Sequence, residues 1–542
     1  MPSPLLSRRN FLKLMGAGIA TLALGKLIDF SGFKLGGNAH VAKGEPASPW
    51  TIGPLTTVTP VHAALIANGK IISIAGSGYH ASNKSGPFQA NLIDPDTGNS
   101  FPFTMTEDLF CNGLCHLANG NVLIAGGTLQ YDVDNSEGLF HGLSSAYEFD
   151  NLNLNFQKVS SMAHGRWYPT LLVLPDGKVM VVDGLDEYGT RNALVEIYNP
   201  PSRTFSIKYD PSSSLTYCVG QGSTLPGAGS PCYGGPNNGV SPITTYYPRM
   251  HVMPSGLVLV CGMANTLYIV NPNTGTWTNI GQTQYPRREY GVSFLLPLNN
   301  TASERGKVLI AGGQTVSFTP DPATPTAEMI DFNQGTNTTP AVRSVPSMNF
   351  GRVFGLPVIL PTGKLVIFGG VKQDTDNYIH TPEMFDPLTE TWSSLPDANV
   401  SRTYHSVALL LGDGRVWLAS GTPDRVSWEH RTEFYNPPYY FDNNRPVING
   451  IVTSAPYGGT IRIPTQNGSA ITSVSLVRLM ATTHHYDANA RLVWLQITGT
   501  DSAGINVSAP INSNVAPPGH YMIHIINGSG VPSVASMIKI PA

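Results

Sequence analysis

Residues 110–120 read FCNGLCHLANG, and its two cysteines and histidine are side chains of the kind that hold something. A C-x-x-C-H run would carry covalent haem and C-x-x-C half of a zinc site, but Cys111 and Cys115 stand one residue too far apart for either. Cys111 is therefore read alone, with Cys115 and His116 left to the strand that follows. Comparable stretches occur further on. DLFCNGLCHLANG, GRWYPTLLVLPDG and SRTYHSVALLLGDG place Cys111, Tyr168 and the Tyr404–His405 pair eight or nine positions before a similar turn. A fourth stretch, MATTHHYDANARLVWL, carries His484 and His485 on a loop before a strand. Singly, each tyrosine reads as a half-buried strand residue and each histidine as a core residue. Their value lies in occurring together.

The elements that must position them are repeats. A glycine turn, an alternating apolar run and a closing glycine recur as NGKIISIAGSG, NGNVLIAGG, DGKVMVVDG, SGLVLVCG, RGKVLIAGG, TGKLVIFGG and DGRVWLASG, beginning at Asn68, Asn119, Asp176, Ser255, Arg305, Thr362 and Asp413. Five of the intervals are about 50–57 residues, and the one from Asp176 to Ser255 is longer. Most copies are followed by a strand that enters an Asn/Asp-Pro turn, as in VEIYNPPSRTF and PEMFDPLTETW. Strand, turn and strand at this period predict kelch-type propeller blades, seven of them, since one small twisted sheet cannot bury both its faces. In a propeller, equivalent loop positions meet at one end of the axis, which is where the reactive residues would gather. After PPYYFDNNRPVI the repeat stops, and about 100 residues of short alternating strands predict an immunoglobulin-like sandwich. The expected class is all-β. Residues 1–45 are read as leader and linker, 46–438 as a seven-bladed β-propeller, and 439–542 as the sandwich.

Composition narrows the function. A formal charge of −3 with 12% charged residues offers no basic field for nucleic acid. SRRNFLKLMGAGIATLALG, with Arg8 and Arg9 ahead of a short apolar run, is a twin-arginine export signal, and the run is too short and glycine-rich for a good membrane span. The expected destination is periplasmic, extracellular or cell-surface, and oxidising. Cys218 and Cys232, in one Gly/Ser/Pro loop, are expected to pair as a disulfide. Cys261, in LVLVCG, reads as a buried thiol.

With the repeats in place, the chain resembles the copper-radical oxidases, the galactose oxidase and glyoxal oxidase family. The resemblance runs over nearly the whole chain after the leader. In that family a cysteine in a D-x-F-C context is joined by a thioether to a tyrosine in an R-x-Y context, matching Cys111 and Tyr168. R-x-Y-H-S supplies an axial tyrosine and a copper-binding histidine, matching Tyr404 and His405. A T-H loop with an arginine seven residues later supplies the second histidine, which selects His484, followed by Arg491, over His485. The resemblance thus implies Cu(2+) held by Tyr168, Tyr404, His405 and His484, with Cys111–Tyr168 as a protein-derived radical cofactor. Two imidazoles and two phenol oxygens suit Cu(II) in a tetragonal site. It further implies Tyr404 as the base for the substrate hydroxyl, hydrogen-atom abstraction at Tyr168, and O2 reduced to H2O2.

Two departures from the pattern matter. The family tryptophan that stacks on the cross-linked tyrosine aligns with Asp186, and Trp167, beside Tyr168, is expected to face the opposite way because adjacent strand residues alternate. The stacking group is thus unassigned. Blade sequence also begins soon after residue 50, leaving no room for the carbohydrate-binding domain of galactose oxidase. This turns the expected substrate towards small aldehydes of the glyoxal type or primary alcohols, with Tyr247, Arg249 and Arg352 on the substrate side. A monomer is expected. A reading of another class is a non-catalytic exported propeller that binds glycan or cell-wall polymer. A propeller glycosidase would need paired carboxylates, and Asp108, Asp183, Asp186 and Glu187 show no such spacing.

Overall fold

The apolar runs of the repeats, expected to alternate, are buried at every residue in strands such as Val122–Ala125 and Val179–Val182, as befits strands covered on both sides. In the computed structural model, which describes residues 48–541 apart from 79–85, 132–139, 190, 193, 210–245, 316–321, 374–375 and 424–426, they become the second strands of a ring of blades. Among the described residues there are seven blade sheets. Their innermost strands are His62–Leu65, Gly113–His116, Thr170–Val173, Arg249–Val252, Val292–Leu295, Leu356–Ile359 and Val407–Leu410. Each pairs antiparallel with the repeat strand behind it, as Gly113 does with Ala125 and Val407 with Ala419. The turn between them needs a left-handed residue, and its glycine has φ between 79° and 91° in every copy, from Gly69 to Gly414. The cysteines 218 and 232, like the leader, lie outside the described residues.

The ring is closed by the chain's own beginning. Trp50–Leu55 forms the outer strand of the last blade, pairing with Arg431–Tyr435, and the Trp50 indole donates to the Pro396 carbonyl at 2.8 Å.

Within four blades a buried arginine lies just ahead of the inner strand. Arg166, Arg288 and Arg352 pair with Glu196, Glu328 and Glu383 on the third strand of the same blade at 2.8, 2.8 and 2.5 Å. Arg402 instead donates to the Ser420 and Arg431 carbonyls, near Glu433. The glutamates also accept loop N–H groups, from Ala163, Gln284, Asn349 and Asn399. Glu196, Glu328 and Glu383 thus fix both the arginine and the loop that carries it towards the axis, while Glu433 fixes the loop.

The C-terminal domain packs a three-stranded sheet (Thr460–Pro464, Ile497–Asp501, Gly504–Ser508) against a larger one containing Ile471–Arg478, Leu492–Leu495, Gly519–Asn527 and Ser536–Ile540. Ile461, Ile463, Val474, Leu476, Val507 and Ile523 fill the space between, continuous with Leu259 and Phe332 of the propeller. One strand, Ala481–Thr483, leaves this domain and pairs antiparallel with His62–Ala64, inside the ring. Arg491 donates to the Asn514, Val515 and Val252 carbonyls, and Arg478 to those of Pro517 and His116, so both arginines tie the two domains together. His116 bonds the Met480 carbonyl through Nε2 at 3.2 Å, while Cys115 is enclosed in the apolar contact between blades.

The arginine–glutamate pairs make a stability prediction. Glu383→Ala leaves the Arg352 guanidinium buried without its carboxylate, which should cost about 3–5 kcal/mol. A thermal melt should show a clear drop in midpoint, whereas an unchanged midpoint would mean the pair does not hold the blade.

Candidate metal centre

Six inner strands begin two residues after a non-glycine residue in the left-handed region. These residues are Cys111 (φ 63°), Tyr168 (72°), Tyr247 (48°), Tyr290 (51°), Phe354 (60°) and His405 (64°). In the remaining blade Pro60 stands at that place, where its ring forbids positive φ. Bulky residues adopt this conformation rarely, at about 1–3 kcal/mol each. Here it is held by bonds that pass from blade to blade: Tyr168 N–H donates to the Cys111 carbonyl (3.0 Å), Tyr247 N–H to that of Tyr168 (3.1 Å), and Phe354 N–H to that of Tyr290 (3.2 Å). The result is a set of side chains that meet one another.

The C-terminal domain adds two more. Thr483 and Tyr486 exchange both backbone hydrogen bonds around His484 (φ 45°) and His485 (φ 66°). A two-residue hairpin with positive φ at both centres is ordinarily made by Asn-Gly. Two histidines hold it here because the hairpin is clamped. The Tyr486 hydroxyl bonds both the N–H and the carbonyl of Met250 at 2.5 Å, and the Asp487 carboxylate accepts the N–H of Ala481.

Cys111, His405 and His484 are buried and bring their Sγ and ring-nitrogen atoms within 4.8 Å of one another. Cys111 Sγ lies 3.7 Å from His484 Nε2, and Cys111 packs in one buried cluster with Tyr168. The Tyr168 and Tyr404 hydroxyls are bonded to each other. The His405 and His484 rings stand perpendicular with centroids 4.9 Å apart, and Tyr404 lies against His405 at 3.9 Å. Neither ring nitrogen of buried His405 has a hydrogen-bond partner among the described residues. His485 faces elsewhere, with Nε2 on the Thr403 carbonyl at 3.1 Å.

The electrostatics suit a cation. Burial holds His405 and His484 well below the usual imidazole range, so both are neutral with a lone pair to offer. Burial, with the neighbouring thiol and phenols, pushes Tyr168 and Tyr404 well above the ordinary phenol value. Two buried phenols next to two lone-pair imidazoles form a donor set for a metal of the N,O type.

The residues expected on the substrate side divide. Tyr247 stacks on His484 (4.6 Å, 29°) and donates to the Asn112 carbonyl at 2.7 Å. Arg249 is buried against the Tyr486 ring at 4.5 Å, donating to the Gly291 carbonyl. Arg352 does not join the cluster: it is the buried partner of Glu383 and also bonds the Gly369 carbonyl. The expectation for Trp167 is also corrected. Its ring lies 3.8 Å from that of Tyr168, tilted by 40°, and Phe140 stacks on its far side at 4.3 Å. Alternation fails because Tyr168 precedes the strand, in a left-handed conformation. Asp186, the residue aligned with the family tryptophan, is buried and accepts the Tyr188 N–H.

Residues 241–439 match the glyoxal oxidase N-terminus model, and residues 445–540 match the galactose oxidase-like early set domain. Both models describe parts of the galactose oxidase and glyoxal oxidase family, and together they take in nearly all of residues 241–540. It is 26% identical to a galactose oxidase of Gibberella zeae over 82% of its length, and spans 63% of that protein. It is likewise 26% identical to aldehyde oxidase GLOX of Vitis pseudoreticulata, covering 83% of this chain and 85% of the other. The fold matches that of a fungal alcohol oxidase solved in complex with copper, with TM-score 0.74, 23% identity, and coverage of 91% and 99%.

Several residues of the centre were absent from the sequence reading. Tyr290 and Phe354 flank Tyr404, at 5.8 and 4.9 Å between rings, and Trp428 stacks on His405 at 5.6 Å. Tyr290 and Phe354 had a usable signal: each stands before a glycine at the blade register already occupied by Cys111, Tyr168 and His405. Trp428 had none.

Burial of the histidines makes the metal-free protein sensitive to acid. His62 and His485 are lowered by burial to about 3, and His405 and His484 lie well below 6.5. Below about pH 6.5 the unfolded chain takes up protons that the folded chain refuses, so stability is complete above that pH and declines beneath it. Melting curves of the apoprotein should show the midpoint falling steadily from pH 7 to pH 5. A flat profile would contradict the burial.

Proposed function

We propose that this protein is a mononuclear copper oxidase that converts a primary alcohol or small aldehyde, with O2, to the aldehyde or acid and H2O2, using a Cys111–Tyr168 thioether radical. The observation that carries this reading is the buried meeting of Cys111, Tyr168, Tyr404, His405 and His484, with both His405 nitrogens unspent. Tyr168, Tyr404, His405 and His484 would hold the copper. When bound, copper would accept one of the two electrons removed from the substrate and offer an open position for it.

The chain's own groups account for the rest. Tyr404 is strongly disposed to stay protonated when buried. Once a cation offsets its charge, the phenolate is a base placed to take the substrate hydroxyl proton. The Tyr168 oxygen receives the hydrogen atom from the carbinol carbon. Sulfur on its ring makes it easier to oxidise, and the thioether arises by loss of one hydrogen from the Cys111 thiol and one from the ring, both passing with their electrons to O2. Trp167, backed by Phe140, covers the Tyr168 ring on one side and limits access of water to it. Arg8 and Arg9 support export through the twin-arginine route, which carries folded proteins and so suits a centre loaded before export.

After copper loading in air, tryptic peptides containing Cys111 and Tyr168 should run joined, two hydrogens lighter than their sum. Separate peptides from a copper-bound protein would remove the radical mechanism. Cys111→Gly, a residue suited to the left-handed backbone there, should keep copper binding but lose the joined peptide, with peroxide production over alcohols and aldehydes falling to background. A protein that yields no peroxide from any of them but retains polymer would be the binding module instead.

A further inference from the structure

We infer that His62 and Thr483 are positioning residues that set the proton on His484, leaving its Nε2 lone pair for the metal. This rests on the copper reading above. His62 opens the inner strand of the first blade and is the direct cross-strand partner of Thr483. Its Nε2 accepts the backbone N–H of Cys111 at 3.0 Å. A ring nitrogen that accepts an N–H carries no proton, so the proton of neutral His62 sits on Nδ1. That Nδ1 lies 2.6 Å from Thr483 Oγ1 and must donate to it.

The same Thr483 oxygen lies 2.7 Å from His484 Nδ1. Its hydroxyl has one proton and two acceptor sites, one of them taken by His62. The Tyr247 phenol lies beside Thr483, and its own proton is spent on the Asn112 carbonyl at 2.7 Å, so it is the neighbour with an oxygen free to take the hydroxyl proton. With the hydroxyl proton sent there, the second acceptor site receives His484 Nδ1–H, and Nε2 is left bare on the side facing Cys111 Sγ. The direction of the chain is anchored at both ends by backbone groups that cannot exchange roles, the Cys111 N–H and the Asn112 carbonyl. His62 also holds the left-handed backbone of Cys111, so one imidazole orients both the thioether cysteine and a metal-binding histidine.

Thr483→Val keeps the branched shape and removes the acceptor, while Thr483→Ser keeps the hydroxyl. In chelator competition on the full-length apoprotein, Thr483→Val should weaken copper binding about 10- to 100-fold, as loss of a group that orients a metal-bound histidine does elsewhere. Thr483→Ser should bind copper and melt as the wild type does, while Thr483→Val, which leaves the buried His62 Nδ1–H without its acceptor, should still fold with a moderately lower midpoint. His62→Leu should weaken copper binding and, in addition, lower the yield of the joined Cys111–Tyr168 peptide. A Thr483→Val protein that binds copper as tightly as wild type overturns the proposal and leaves the copper reading intact. Equal weakening in Thr483→Ser also overturns it, since the hydroxyl would then not be the cause. A wild-type chain that takes up no copper overturns both.

Discussion

The centre depends on one short backbone pairing, that of Ala481–Thr483 with His62–Ala64. The propeller alone supplies a cysteine, phenols and one imidazole around its axis. The second imidazole comes from another domain and must be delivered to within a few ångströms. Three residue pairs do this, and they succeed because the hairpin beyond them is held on every side. Tyr486 is bonded to Met250, Asp487 closes the loop, and Arg478 and Arg491 reach carbonyls of the surrounding blades. The C-terminal domain is therefore a structural part of the centre, joined to the propeller by a continuous apolar core.

The second requirement is conformational. A residue two positions before an inner strand would normally continue the extended backbone and sink between blades. The left-handed turn at six of these positions aims the side chains at one another instead. Strain of about 1–3 kcal/mol per residue is sustainable only if the loops cannot relax. The buried arginine–glutamate pairs provide that rigidity for Tyr168, Tyr290 and Phe354, because the arginine stands two residues before each of them. Chemistry and frame are thus interleaved along the same loop.

That interleaving explains what the sequence disclosed. The repeat period was plain because each blade must bury two strands completely, and the blade count followed. Cys111, Tyr168 and His405 were legible because they share a register with the turn glycine. Arg352 was misread for the same reason: it lies on an axial loop, and only the position of Glu383 on a distant strand shows that its charge is already satisfied. Trp167 was misread because alternation was applied to a residue whose neighbour is left-handed. His62 left no trace, since an imidazole inside an otherwise apolar strand looks like core until Thr483 is placed beside it. The His484–His485 turn runs against turn chemistry, which would call for Asn-Gly, and only the surrounding clamps permit it.

The side chains proposed to hold the metal occur late as well as early, with Tyr168 in the third blade and His484 beyond the seventh. The strand that closes the ring joins residues near 50 to residues near 435. No partial product can therefore possess the whole donor set: a ribosome must have released almost the entire polypeptide before the last nitrogen arrives. Under the proposed function, acquisition of the metal would then serve as a test of completeness. A truncated or mis-closed ring would have phenols and a thiol but no finished pocket, and the radical proposed for this centre could not form in it inside the cell that made it.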